Sequence, residues 1–274
     1  MVQTMVRKPA VAGHFYPREP ESLRRVVLQH IETASVAAAP DKVETVVSPH
    51  AGYMYSGPTA GHAYARVRGK QPNRVVLLGC SHHYLIETAS VFTRGSFETP
   101  LGTFPIDEAF AQRLADTTGS YSIEPHMAEH SLEVQLPFIA ASIGIVPIVP
   151  VLFGGAAGEW HARVGEELAR MTDEGDLVVV STDLSHYLDE AHANEIDRRS
   201  IDTVLKKDWR AFAAGIRHHT CSMCGASAVI AAMTYAAARG ASEWKVLDYR
   251  TSGATSGDFD RVVGYAALSM ERAA

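Results

Sequence analysis

The stretch LVVVSTDLSH, residues 177–186, decides the fold, because four apolar residues in a row run directly into a polar segment. Two further stretches have the same order, VETVVSPHAG at residues 43–52 and RVVLLGCSHH at residues 74–83. Short runs rich in β-branched residues are typical of strands buried on both faces, as in parallel sheets. The three stretches therefore predict three strands of an α/β sheet, each followed by polar residues.

Further strand-like runs and several helix-like segments alternate along the rest of the chain. The predicted strands are residues 43–48, 74–80, 89–93, 145–152, 177–182, 244–249 and 262–268. The predicted helices are residues 19–36, 106–117, 131–142, 159–171, 191–206 and 225–238. Their alternation predicts an α/β fold with a central, mostly parallel or mixed sheet flanked by helices on both faces, in one domain over residues 1–274. Two prolines in Val146–Val151 predict an edge strand or an interrupted one.

The composition excludes several classes of protein. Of the 274 residues, 46% are hydrophobic, which is enough to fill a globular core. The net charge of -6, with no basic run, argues against a nucleic-acid partner. We expect no membrane span and no secretory signal, because no apolar run is long enough. The odd number of cysteines, three, fits the reducing cytoplasm rather than a disulfide framework.

Histidines follow the three predicted strands. His50, His82 and His186 come shortly after the apolar runs, together with Asp183. Ligands of open α/β sheets bind beyond the carboxyl ends of the strands, so parallel strands would gather these side chains on one rim. A single histidine in such a place is more often a hydrogen-bonded loop residue, and Asp183 also fits a helix cap. The coincidence of three strand ends favours a metal site that includes His50 and His82.

A polar block at residues 129–136, EHSLEVQL, forms a second candidate cluster. At helical spacing, Glu129, Glu133 and, obliquely, His130 lie on faces beside an apolar stripe, where they could orient a metal ligand or move protons. The alternative is an ordinary helix start, with Ser131 and the acidic residues favoured by the helix dipole.

The third cluster is CSMCG, residues 221–225. No second cysteine pair exists, so a four-cysteine zinc site is excluded, and the spacing to His218 and His219 is poor for a zinc finger. Cys224 directly precedes a predicted helix, whose N-terminus favours the thiolate that binds metal, and we therefore prefer it to Cys221 as a third ligand. The alternative is a small buried cysteine at a tight helix start.

Several of these blocks together resemble the Memo family, named for the mediator of ErbB2-driven cell motility and called AmmeMemoRadiSam system protein B in microbes. The blocks are RKPAVAGHFYP at 7–17, PHAGYMYSG at 49–57, LGCSHH at 78–83, EHSLEVQLPF at 129–138, DLSHY at 183–187 and CG at 224–225. They follow the family order over nearly the whole chain. One departure is Cys80, where the family pattern has a proline, and it adds a thiol beside the site.

The resemblance extends in fold and site placement to the class III extradiol (LigB-type) dioxygenases, which hold Fe(II) with two histidines and a carboxylate. It implies that His50 and His82 are metal ligands and that Cys224 takes the place of the carboxylate. His186 and Asp183 match the residues expected to serve in acid–base chemistry. A thiolate ligand makes Cu and Zn chemically plausible beside Fe(II).

Two functions follow as hypotheses. The first is a metal-dependent oxidoreductase related to these dioxygenases, in which His186, Asp183 and His130 move protons. The alternative is a non-catalytic module of a signalling or modification pathway that binds metal, a peptide or a small ligand. Tyrosines near the rim would line its cleft, namely Tyr53, Tyr55, Tyr84 and Tyr187.

Overall fold

The computed structural model describes residues 5–120 and 122–273. The strands in this part of the chain are β1 (Val6–Arg7), β2 (Val43–Ser48), β3 (Val75–Cys80), β4 (Ala89–Val91), β5 (Ser96–Thr99), β6 (Gly102–Pro105), β7 (Ile148–Phe153), β8 (Leu177–Ser181), β9 (His186–Leu188), β10 (Ala241–Thr251) and β11 (Val262–Arg272). The α-helices are α1 (Pro20–Thr33), α2 (Tyr53–Arg66), α3 (Glu108–Thr118), α4 (Leu136–Ser142), α5 (Glu159–Met171), α6 (Glu190–Leu205), α7 (Trp209–Arg217), α8 (Ala226–Ala238) and α9 (Gly253–Ser256). Two 3₁₀ turns lie at Glu124–His126 and Glu133–Gln135.

The main sheet has the strand order β10-β11-β2-β8-β3-β7-β4, and β9 pairs with β11 beside it. Strands β2, β8, β3 and β7 are parallel, whereas β10, β11 and β4 run antiparallel to their neighbours. A small second sheet joins β1, β5 and β6. The predicted α/β class with a mixed sheet is confirmed.

The register of the central strands sets the position of everything that follows them. Ser48 at the end of β2 lies opposite Ser181 at the end of β8, and Leu78 of β3 lies opposite Val180. These strands are almost completely buried, as expected for a sheet covered on both faces. The three segments that leave their carboxyl ends therefore emerge side by side.

Helices pack against the sheet in two groups. Helix α2 contacts α1, α4 and β2, while α8 contacts α5, α7, β3 and β8. Helices α1 and α2 approach closely at Gly61, where a Cβ atom would lie 2.3 Å from the carbonyl oxygen of His30. Within the described part of the chain, no helix is long and apolar enough to cross a membrane. The expected cytoplasmic location stays a prediction.

The structure adds elements that the sequence patterns did not predict. Helix α2 contains Gly57, Pro58 and Gly61, three residues that normally interrupt helices, and no helix was predicted for this segment. Helix α7 and the small sheet were also not predicted. The predicted helix at residues 131–142 begins as a 3₁₀ turn and becomes α4 only at Leu136. One domain over residues 1–274 stays a prediction, and residues 1–4, 121 and 274 lie outside the described residues.

Strand β7 corrects the expectation that its prolines mark an edge or a break. It lies between β3 and β4 and runs unbroken through Pro150. The carbonyl of Pro150 accepts a hydrogen bond from Phe92 N (3.0 Å), just beyond the end of β4. In a strand, the N–H and the carbonyl of one residue point toward the same neighbouring strand. The N–H that Pro150 lacks would therefore also have pointed toward Phe92, just past the end of β4. The proline therefore removes a single bond at the end of a short ladder.

A buried ion pair fixes the N-terminal segment to the loop before α4. Arg7 and Glu133 are both fully buried and form a salt bridge. The Glu133 carboxylate also accepts hydrogen bonds from Ala10 N (2.8 Å), Val11 N (3.0 Å) and the Tyr16 hydroxyl (2.6 Å). These four partners offset the free-energy cost of burying the Glu133 carboxylate, and the loss of any one of them would leave part of that cost uncompensated.

We expect Glu133→Gln to lower the free energy of unfolding by about 3–5 kcal/mol, because it leaves the guanidinium of Arg7 buried without a counter-charge. The matched control is Glu98→Gln, which removes the exposed partner of Lys8 and should cost no more than about 1 kcal/mol. Urea unfolding of both variants measures the difference. Equal losses in the two variants would contradict this role of Glu133.

Candidate metal centre

Two histidines and two cysteines come together beyond the carboxyl ends of β2, β3 and β8. Within the described residues, potential ligand atoms of His50, Cys80, His82 and Cys224 all lie within 4.8 Å of one another. His50 Nε2 is 3.3 Å from Cys224 Sγ, and His82 Nε2 is 3.8 Å from Cys80 Sγ. The structure therefore brings together the three predicted ligands and adds a fourth candidate, Cys80.

The hydrogen bonds around His50 determine which of its ring nitrogens faces this cluster. Its Nδ1 lies 2.8 Å from Ser181 Oγ. That hydroxyl donates its single hydrogen to the Ser131 carbonyl (2.5 Å) and accepts from Gln135 Nε2 (3.0 Å). Since no second hydrogen remains on Ser181 Oγ, Nδ1 must be the donor to it. His50 thus carries a proton on Nδ1 and directs Nε2 toward Cys224.

His82 is oriented in the same way by a carboxylate. Its Nδ1 donates to Glu129 Oε1 (2.9 Å), and its backbone N–H donates to Glu129 Oε2 (2.6 Å). Oε1 also accepts from the backbone N–H groups of His130 and Ser131, both at 2.8 Å. A carboxylate behind a histidine fixes the ring and makes the opposite nitrogen a better metal ligand.

The two sulfur atoms differ in protonation. The pKa of Cys224 is well below its usual range because Cys80 donates a hydrogen bond to it, and the charge of His50 acts in the same direction against the effect of burial. The Asp183 backbone N–H also points to Cys224 Sγ (3.2 Å). The pKa of Cys80 is raised by the same shared hydrogen bond and by burial. Cys224 is therefore the thiolate and Cys80 the thiol when no metal ion is bound.

The two imidazoles hold protons that a metal ion would replace. Burial lowers the pKa of His50, but the thiolate of Cys224 and the carboxylate of Asp183 outweigh it and raise the pKa to about 9. Burial likewise lowers the pKa of His82, while hydrogen bonds with Cys224 and Glu129 raise it to about 10. Imidazole nitrogens and thiolate sulfur form a donor set that suits Zn, Cu and Fe ions. These residues therefore fit a transition-metal ion, which must compete with protons for them.

The residues predicted to move protons lie at different distances from the cluster. The ring of His130 stacks on His82 (centroids 4.4 Å apart) and meets His50 edge-on at 5.5 Å. Burial and the charge of His50 lower the pKa of His130 to about 4, so this imidazole is neutral. Asp183 is buried and accepts a hydrogen bond from His50 N (2.8 Å). His186 lies exposed in β9, and its Nδ1 donates to the Leu184 carbonyl (2.9 Å).

Several functional contacts were not predicted from the sequence. Cys80 was noted only as a departure from the family pattern, although it stands two residues before His82. Ser181 ends β8 and contacts His50, and Gln135, from the block at 129–136, donates to the same serine. Both contacts join segments that are distant in the chain. Tyr53, expected to line a cleft, is buried, and its hydroxyl donates to the Val134 carbonyl (2.6 Å).

The fold and this cluster define a class: α/β proteins with a histidine–cysteine site of metal-binding type at the strand ends. The chain belongs to the Memo family, because the family model described as Memo-like protein matches residues 7–269. A MEMO1 family protein of Methanopyrus kandleri is 36% identical over 282 residues, which covers 98% of this chain and 100% of that protein. Another, from Methanothermobacter thermautotrophicus, is 38% identical over 277 residues and covers 97% and 100%.

A solved structure supports the fold. The crystal structure of an uncharacterized protein from Escherichia coli K12 aligns with a TM-score of 0.50 at 13% identity. The alignment covers 82% of this chain and 99% of that one. At this level of identity the similarity concerns the architecture alone.

We expect Glu129→Gln to weaken Zn(II) binding about 10–100-fold, the usual cost of removing the carboxylate behind a histidine ligand. The control is Glu124→Gln, which alters an exposed carboxylate bonded to Ser122. Competition titration against a chromophoric chelator measures both affinities. If Glu129→Gln binds Zn(II) as tightly as the unchanged protein, the hydrogen bond from His82 Nδ1 to Glu129 does not prepare His82 for metal binding.

Proposed function

We propose that this Memo-family protein is a metal-dependent oxidoreductase that acts on a small, electron-rich molecule, with Fe(II) as the first candidate metal and Cu or Zn as alternatives. The observation that supports the proposal is the convergence of His50 Nε2, His82 Nε2 and Cys224 Sγ. Each imidazole directs this nitrogen inward because its Nδ1 is bonded to an outer group, Ser181 or Glu129. A bound ion with free coordination positions would supply Lewis acidity and, for iron or copper, electron transfer to O₂.

The protein's own residues would handle the protons. His130 is neutral and stacks beside His82, so it is placed to accept a proton from a substrate hydroxyl. Asp183 positions His50 by accepting its backbone N–H. His186 is exposed in β9, where it would exchange protons with water.

Metal analysis of protein purified anaerobically tests the site. We expect His50→Ala and Cys224→Ser to lose most of the bound metal, since each removes one of three ligands. His218→Gln, a change at an exposed histidine outside the cluster, serves as the control and should keep its metal. Unchanged metal content in both ligand variants would overturn the proposed site.

Oxygen consumption tests the activity. Iron-loaded protein should consume O₂ in the presence of members of a catechol and phenol panel, and His130→Gln should bind iron normally but react about 10²-fold more slowly. A protein that binds iron stoichiometrically but consumes no O₂ with any member of the panel would leave the metal site standing and contradict the oxidoreductase.

A second candidate function is a binding module, and exposed apolar residues near the strand ends favour it. Met54, Tyr84, Leu85 and Tyr187 are all exposed, Leu85 to 99%. Large apolar side chains exposed to solvent are common in surfaces that bind peptides. This function predicts binding of an apolar peptide that survives His50→Ala and His82→Ala but is lost in Leu85→Asp. Loss of binding in the histidine variants would contradict a role independent of the metal.

A further inference from the structure

We propose that Cys80 is a fourth metal ligand, so that the site is a two-histidine, two-cysteine centre selective for thiophilic ions such as Zn(II) and Cu(I). The inference rests on the metal site of the proposed function, and a fourth protein ligand would fill the position that the oxidoreductase keeps for a substrate or O₂. It follows from the placement of a second sulfur among the three other donor atoms.

The distances fit one tetrahedral ion. With bonds of about 2.3 Å to sulfur and about 2.0–2.1 Å to nitrogen, a tetrahedral ion holds a sulfur and a nitrogen about 3.6 Å apart. Two of the four sulfur–nitrogen pairs of the cluster, Cys224 with His50 and Cys80 with His82, measure 3.3 and 3.8 Å. Since all four residues offer an atom within 4.8 Å of the others, Cys80 fits the vertex that three ligands would leave open.

The backbone around Cys80 is fixed by contacts on both sides. Cys80 is the last residue of β3, and its carbonyl accepts a hydrogen bond from Ser131 Oγ (2.8 Å). Two residues later, the N–H of His82 is bonded to Glu129 (2.6 Å). A Cβ atom at Gly79 would lie 2.6 Å from Leu132 Cδ2, so this end of β3 also packs tightly. Cys80 and His82 are therefore presented together by one rigid strand end.

The donor set itself indicates the metal. Two thiolates offset the charge of a divalent ion such as Zn(II), and the two imidazoles are neutral when their Nε2 atoms bind metal. A tetrahedron of two nitrogens and two sulfurs suits Zn(II) or Cu(I), both of which accept thiolate ligands.

The test compares Co(II)-substituted full-length protein with Cys80→Ala, Cys80→Ser and Cys224→Ala variants. Cys221→Ala is the matched control, because Cys221 is a buried free cysteine outside the cluster. We expect X-ray absorption to show two sulfur ligands in the unchanged protein and in Cys221→Ala, and one in the other three. Sulfur-to-cobalt charge-transfer absorption should fall by roughly half in those three, and Zn(II) affinity should fall more than about tenfold in Cys80→Ala.

The outcomes separate the two proposals. One sulfur ligand both in the unchanged protein and in the Cys80 variants would overturn the fourth ligand while leaving the three-residue site intact. Failure of the unchanged protein to bind Co(II) or Zn(II) would overturn the metal site itself. The Cys80→Ser variant keeps nearly the same side-chain volume, so a loss of the second sulfur there cannot be assigned to a packing defect.

Discussion

The parallel register of β2, β8 and β3 is the constraint on which the rest of the structure depends. Because Ser48 lies opposite Ser181, the segments that follow bring His50 beside Asp183, and the backbone of His50 bonds directly to that carboxylate. A slip of one residue would reverse the faces of a buried strand and move its terminal residues out of place. The continuous apolar runs that fill the sheet therefore also determine where the candidate metal ligands lie.

The segment at residues 129–135 both orients the candidate metal ligands and carries part of the buried ion pair that stabilises the fold. It supplies Glu129 to His82, the Ser131 carbonyl to Ser181, and Gln135 to the same serine. The Glu133 carboxylate within it is anchored to Arg7 in the interior. Both imidazoles are thus oriented by one short stretch of chain, which is itself held by a buried ion pair. Without a metal ion, the two protonated imidazoles and the thiolate of Cys224 all carry charge. A metal ion that binds there displaces the protons of the imidazoles.

The number of sulfur ligands would decide the chemistry available to such a centre. One thiolate with two imidazoles leaves positions for a substrate or O₂, as a metal-dependent oxidoreductase requires. A second thiolate completes a tetrahedron and favours ions that have no redox chemistry of their own, or a cuprous ion. Cys80, at the end of β3, is the residue that distinguishes these two ligand sets, and the neutral imidazole of His130 lies beside the ligands in either case.

The sequence by itself determined the α/β class, the central strands and the convergence of His50 and His82, because buried strands and their polar ends are local patterns. It also indicated Cys224, through its place before a helix. Only the tertiary structure decided that α2 is helical despite Gly57 and Pro58, that β7 lies inside the sheet, and that Cys80 joins the cluster. The orientation of the imidazoles of His50 and His82 was likewise decided only by the tertiary structure. These features depend on contacts between segments far apart in the chain, such as Ser181 with His50 and Glu129 with His82, and local periodicity carries no information about such contacts.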